Sequence, residues 1–227
     1  KHTKQKPTKQ QVYLPGEAVS TDMFGPGVRT AGGGRYGCLL RDKVSGFTLG
    51  CVLIHKSDVI KPMEKMIVHM EAFSGRKIRV WKADGDGAYR SDAMQASLIS
   101  QRIHPTFSSP RDHPQNGDSE IRVRVVKRDA RINARSSAAP NPMWGELMNY
   151  NLFTRNNLCS IFYDGKWITP KMRLQGPGAK QFNFELFLLF GCKVITTDVE
   201  PTGPQNLDQQ VSHEGFMVGY GESTGHG

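Results

Sequence analysis

A change of hydrophobic period near residue 57 constrains this chain more than any other feature. Before it, residues 18–23, 36–40 and 47–54 are short, apolar, β-leaning runs, and Ser45-Gly46 between the last two suits a hairpin. Phe24-Gly25-Pro26-Gly27 closes the first run with a strong turn signal. After residue 57, Val59, Ile60, Met63, Ile67, Met70 and Phe73 recur every three or four positions, the stripe of an amphipathic helix. Ser57-Asp58 supplies its predicted N-cap and Gly75 its stop. Residues 77–83 return to alternation, 92–103 form a second predicted helix, and 105–108 a short extended piece. An antiparallel opening that feeds strand–helix–strand crossovers implies an α/β fold: a mixed sheet flanked by helices.

The rest of the chain is less regular. Residues 110–117 read as a polar loop, and 143–158 as a helix. Residues 120–135 are rich in Arg and Lys, yet Ile121-Arg-Val-Arg-Val125 alternates with period two. Periodicity leaves strand and helix both open there. From Gly165 onward Gly, Pro and β-branched residues dominate, and 190–197 and 214–220 are the predicted strands of a small β-rich C-terminal extension. The expected divisions are a basic lead-in (1–14), a core (15–160), and a linker with the C-terminal region (161–227).

Lys and Arg number 30 against 21 Asp and Glu, a formal charge of +9. That surplus favours a polyanionic partner, because phosphate neutralisation releases counterions. No stretch approaches the roughly eighteen apolar residues of a membrane span. The four cysteines, Cys38, Cys51, Cys159 and Cys192, form no Cys-x-x-Cys pair, which argues against a zinc ribbon and for a reduced, intracellular protein.

Three acids stand where packing does not ask for them. Asp22 interrupts the apolar run 19–23, Asp84 follows the strand ending at Ala83, and Glu120 opens the segment after His113-Pro-Gln-Asn-Gly. A carboxylate inside or at the end of a strand is costly unless it is paired or holds a cation. Singly, Asp22 and Asp84 read as readily as turn residues, and Glu120 as a helix cap. As a set of hard oxygen donors, with no His or Cys nearby, they favour Mg²⁺ or Mn²⁺ over zinc. Two such ions, about 3.5–4 Å apart, suit in-line displacement at phosphorus.

The contexts of the three acids are Ser20-Thr-Asp-Met-Phe-Gly-Pro26, Lys82-Ala-Asp-Gly-Asp-Gly-Ala-Tyr89 and Ser109-Pro-Arg-Asp-His-Pro-Gln-Asn-Gly-Asp-Ser-Glu120, and thirty-five residues intervene between Asp84 and Glu120. These blocks and that gap resemble the D,D-35-E signature of retroelement integrase cores. Asp42-Lys-Val-Ser-Gly-Phe47 and Trp144-Gly-Glu-Leu-Met-Asn-Tyr150 resemble further segments of the same core. Phe190-Gly-Cys192 and Gly215-Phe-Met-Val-Gly-Tyr220 resemble the stretch that follows it in Ty1/copia-type polyproteins, so the likeness runs from about Lys6 to the end of the chain.

The resemblance implies an RNase H-like fold with a five-stranded mixed sheet, and a helix across the ambiguous segment after Glu120. It implies a metal-dependent polynucleotidyl transferase, with Asp22, Asp84 and Glu120 as catalytic and metal-binding residues and two Mg²⁺ or Mn²⁺ ions. Its expected reactions are 3′-end processing and strand transfer of element cDNA by a homo-oligomer, in the nucleus after a stage in a cytoplasmic virus-like particle. On this template Arg122, Arg124, Lys127, Arg128 and Arg131 become candidate phosphate contacts, and Gln115, Asn116 and Gly117 a flexible loop that contacts DNA. The chain departs from the family at Ala88 and Arg41, where acids are common, and carries extra acids at Asp86 and Asp118. The zinc-binding module that normally precedes the core is not in this sequence, so the lead-in reads as its C-terminal edge. The alternatives are an RNase H-like nuclease or cut-and-paste transposase, or an inactive DNA-binding or assembly module.

Overall fold

A computed structural model of the chain describes residues 12–84, 86–108, 113–197 and 212–220. The lead-in and Gly85 lie outside the described residues, apart from positions 12–14. Five strands form the central sheet: β1 (Ala18–Phe24), β2 (Tyr36–Asp42), β3 (Thr48–Leu53), β4 (Val80–Ala83) and β5 (His104–Phe107), in the order β3-β2-β1-β4-β5. β1–β2 and β2–β3 pair antiparallel, β1–β4 and β4–β5 parallel, which is the mixed sheet expected from the sequence. The β2–β3 turn is tied by Asp42, whose Oδ2 accepts from the Ser45 amide at 2.5 Å and hydroxyl at 2.6 Å.

Helices cover both faces. α1 (Ile60–Ser74), the short α2 (Gly87–Arg90) and α3 (Asp92–Ser100) follow β3 and β4, while α4 (His113–Ser136) and α5 (Trp144–Asn157) follow β5. The pleat sorts the side chains between them. Val19 of β1, Cys38 and Leu40 of β2 and Trp81 of β4 face the methionine-rich stripe of α1, with Met94 and Leu98 of α3. Leu39, one position out of phase, joins Val126 of α4 and Met148 and Leu152 of α5 on the opposite face. Gly50 lets α5 come close, since a Cβ there would lie 2.5 Å from Leu152 Cδ1.

Several local expectations change. The loop drawn over 110–117 ends by residue 113, because α4 starts at His113 and takes in Gln115, Asn116 and Gly117. Pro114 is at home in a first helical turn, where its missing N–H would have no partner anyway. The alternation 121–125 lies within the same helix. A 3-10 turn (Lys56–Val59) precedes α1, and Asp58 Oδ2 accepts from the His55 amide rather than capping α1 itself. β4 is shorter than residues 77–83, starting at Val80, and α3 stops at Ser100 before a left-handed Arg102.

Beyond residue 160 the hairpin of β6 (Ile161–Tyr163) and β7 (Lys166–Ile168), and then α6 (Pro170–Gln175), were not foreseen. Leu174 of α6 is fully buried in the principal core. β8 (Lys193–Thr197) and β9 (Ser212–Phe216) pair antiparallel, close to the two predicted C-terminal strands. Phe190 and Tyr220 pack with Leu147 and Tyr150 of α5. Among the described residues no helix is long and apolar enough to cross a membrane.

Candidate active site

The pleat that buries Val19 and Trp81 against α1 turns the residues between them to the other face. Asp22 pairs with Leu39, the residue that packs against α4 and α5, so its carboxylate belongs to the α4 side of the sheet. The β1–β4 ladder sets Ala18 opposite Val80 and Ser20 opposite Lys82. The ladder ends at Ser20 and Lys82, two residues short of Asp22 on β1 and of Asp84 just after β4. Adjacent strands run about 4.8 Å apart, so continuing that register would bring the two aspartates to neighbouring positions.

Both carboxylates are half-buried and anchored by the local backbone: Asp22 Oδ1 accepts from Met23 N at 2.8 Å, and Asp84 Oδ1 from Asp86 N at 3.1 Å. Asp86 is occupied otherwise. It caps α2 through Ala88 N at 3.0 Å and pairs with Lys56 Nζ at 2.5 Å. Burial opposes its ionisation, but the Lys56 ammonium and the Ala88 N–H outweigh burial and hold the carboxyl below the usual aspartate range. The same contact raises Lys56, with a smaller push from Asp84.

Behind β1 lies a polar knot that sequence reading missed. The Thr21 hydroxyl donates to Leu39 O at 2.8 Å and shares a 3.0 Å hydrogen bond with the Tyr89 hydroxyl, which lies 3.3 Å from Cys38 Sγ. Burial pushes the Tyr89 phenol well up, so it stays neutral, and its hydrogen bond with Thr21 ties down the strand that carries Asp22. A Ser-Thr-Asp run is the only sequence signal for this knot, and it does not name Tyr89 as the partner.

An open cleft of about 580 Å³ begins at Asp22 and runs along α4, with Arg124, Lys127 and Arg131 on its wall. Their spacing of three and four puts them on one helical stripe. Position 120 lies in α4, one turn before Arg124. The side chains of residues 113–122, including Gln115, Asn116, Glu120 and Arg122, lie outside the described residues. Lys127 Nζ sits 4.9 Å over the Phe24 ring. Arg128 does not line the cleft and instead contacts Asp129 at 3.2 Å. Gly25, at the cleft floor, has φ +127°, and a Cβ would meet Arg35 O at 2.7 Å.

Among the described residues no three His, Cys, Asp or Glu side chains cluster as a metal site. The candidate donors Asp22 and Asp84 are hard carboxylate oxygens, a chemistry that fits a divalent ion of the magnesium type.

No family model matches the chain. It is similar to the retrovirus-related Pol polyprotein from transposon TNT 1-94 of Nicotiana tabacum, 25% identical over 212 residues, which cover 91% of this chain and 15% of that polyprotein. The chain therefore corresponds to a small part of that relative's length. Its fold matches a chain in the cryo-EM structure of the simian T-cell lymphotropic virus intasome in complex with PP2A regulatory subunit B56 gamma, with TM-score 0.60, 16% identity, and coverage of 87% of this chain and 70% of that one. It also matches the HTLV-2 integrase catalytic core domain, solved with magnesium in a dimeric form, with TM-score 0.53, 17% identity, and coverage of 72% and 98%. The five-stranded sheet with its flanking helices is the RNase H-like fold of integrase catalytic cores.

Proposed function

For a chain with the fold of an integrase catalytic core and the sequence likeness of a copia-type Pol polyprotein, we propose that it performs 3′-end processing and strand transfer of retroelement DNA. The observation that carries this reading is the parallel β1–β4 pairing that runs toward Asp22 and Asp84, together with the open cleft that Asp22 shares with Arg124, Lys127 and Arg131 of α4.

Asp22, Asp84 and Glu120 would hold the divalent ions. When bound, such ions polarise a phosphodiester and make an attacking water or hydroxyl a better nucleophile. Met23 N–H and Asp86 N–H steady the two aspartates, and Lys56 keeps Asp86 from competing as a ligand. Arg124, Lys127 and Arg131 neutralise backbone phosphates along the cleft and fix the strand's register on the protein. In this reading water first cleaves near the 3′ end of the element strand. The freed 3′ hydroxyl then attacks a target phosphodiester, forming one P–O bond as another breaks. Two DNA ends must meet, which calls for a homo-oligomer, and the HTLV-2 core is itself described in a dimeric form. Such joining would take place in the nucleus.

Asp84→Asn is the direct test. Strand transfer with Mg²⁺ or Mn²⁺ should disappear while circular dichroism and thermal melting stay unchanged; retained joining would refute the assignment. Cleavage without joining in the unsubstituted chain would point to a nuclease or transposase. Salt-sensitive DNA binding with no Mg²⁺ or Mn²⁺ binding would point to an inactive binding module.

A further inference from the structure

The sheet face that carries Asp22 also walls a second space, a cavity of about 520 Å³ between the sheet, α4, α5 and α6. That is the size of a small-molecule site. Its basic lining comes from four separate places in the chain: Arg41 at the end of β2, Lys43 in the following turn, Arg155 on α5 and Arg173 on α6. The one acid among the lining residues is Asp22. Leu39, Val126 and Leu152 form an apolar wall.

The cations differ in what they already hold. Arg155 is gripped by Asp129 at 2.5 Å, and its charge is spent on that pair. The Arg173 guanidinium is stacked 4.0 Å over the Tyr163 ring, which fixes its plane. Its Nε is buried and has no hydrogen-bond partner among the described residues. A buried guanidinium N–H without an acceptor is costly, and a ligand oxygen would satisfy it. Lys43 is exposed and adds a second cation that reaches the same cavity. Positive groups on a low-dielectric wall focus an anion into the cavity.

We propose that this cavity binds an organic phosphate of nucleotide size, with its phosphate met by Arg173 and Lys43 and its body against the apolar wall. The ligand is either a free nucleotide or the phosphorylated end of a DNA strand, since both present the same chemistry. The cavity adjoins the cleft along α4 at Asp22, and binding there does not need the joining reaction.

Isothermal calorimetry on the whole chain with a metal chelator present keeps the carboxylate site out of the measurement. The probes are dAMP and a 5′-phosphorylated tetranucleotide. Binding of dAMP identifies a free nucleotide as the ligand, and binding of the tetranucleotide alone identifies the strand end. In either case Arg173→Gln should weaken binding about tenfold, the loss of a hydrogen bond to a charged group. Lys43→Gln, an exposed change that leaves the core intact, should weaken it by a smaller factor. Binding of neither probe, or binding that neither substitution alters in variants that melt normally, overturns the proposal. Sensitivity to Arg173→Gln in a chain that never joins DNA would sink the integrase reading and leave this one standing.

Discussion

Asp84 and Asp86 stand two residues apart, yet the fold gives them different work. The Asp84 carboxylate accepts from the Asp86 amide, while the Asp86 carboxylate is taken by Lys56 and the start of α2. A carboxyl whose ionisation is favoured by folding stabilises the fold above its unfolded value of about 3.9. That contribution is lost as pH falls through the lower, folded value. Melting temperatures followed from about pH 6 to about pH 2 should fall more for the native chain than for Asp86→Asn, which keeps the cap but not the charge. Equal losses would remove the Lys56 pair from the account. At Gly25 the backbone is left-handed and a Cβ has no room. Gly25→Ala should therefore cost about 1–3 kcal/mol in denaturant unfolding, and an unchanged midpoint would show that the turn can relax.

At the scale of elements, α4 does most to build the site. Its alternating Ile-Arg-Val-Arg-Val run fits a strand as well as a helix, and the choice falls to packing. As a helix it buries Val126 against Leu39, Met148 and Leu152 while Arg124, Lys127 and Arg131 face the cleft. Substituting any of these three by Gln should lower DNA affinity across sequences and reduce the salt slope of binding by about 1. Arg128→Gln should change the slope less, because that side chain contacts Asp129 outside the cleft. A uniform effect of all four would mean that the stripe does not define the DNA path. The close seating of α5 on β3 depends on Gly50, and Gly50→Val should destabilise by about 1–3 kcal/mol through overpacking.

For the molecule as a whole, the segment beyond residue 160 is more than an appendage. Leu174 completes the core under α1, so Leu174→Ala should cost about 2–5 kcal/mol. A measured loss well below that range would show that α6 packs without supporting the core. Much of the architecture could be read from the sequence because it is periodic: β1, β2, β3, α1 and β4 announce themselves through apolar spacing, and burial forces that spacing to match the element. The acids Asp22, Asp84 and Glu120 stand out in the sequence as charges in places where packing gives them no purpose. What the chain alone left open was everything settled by partners distant in sequence. Tyr89 holding Thr21, Lys56 claiming Asp86 and the helical state of residues 121–125 each depend on a contact between segments, and local propensity is blind to such contacts. The chain supplied the carboxylates and the order of the strands. Only the tertiary structure decided the β1–β4 register, a parallel pairing across some sixty residues, because a single-residue slip there would turn every side chain of one strand to the opposite face.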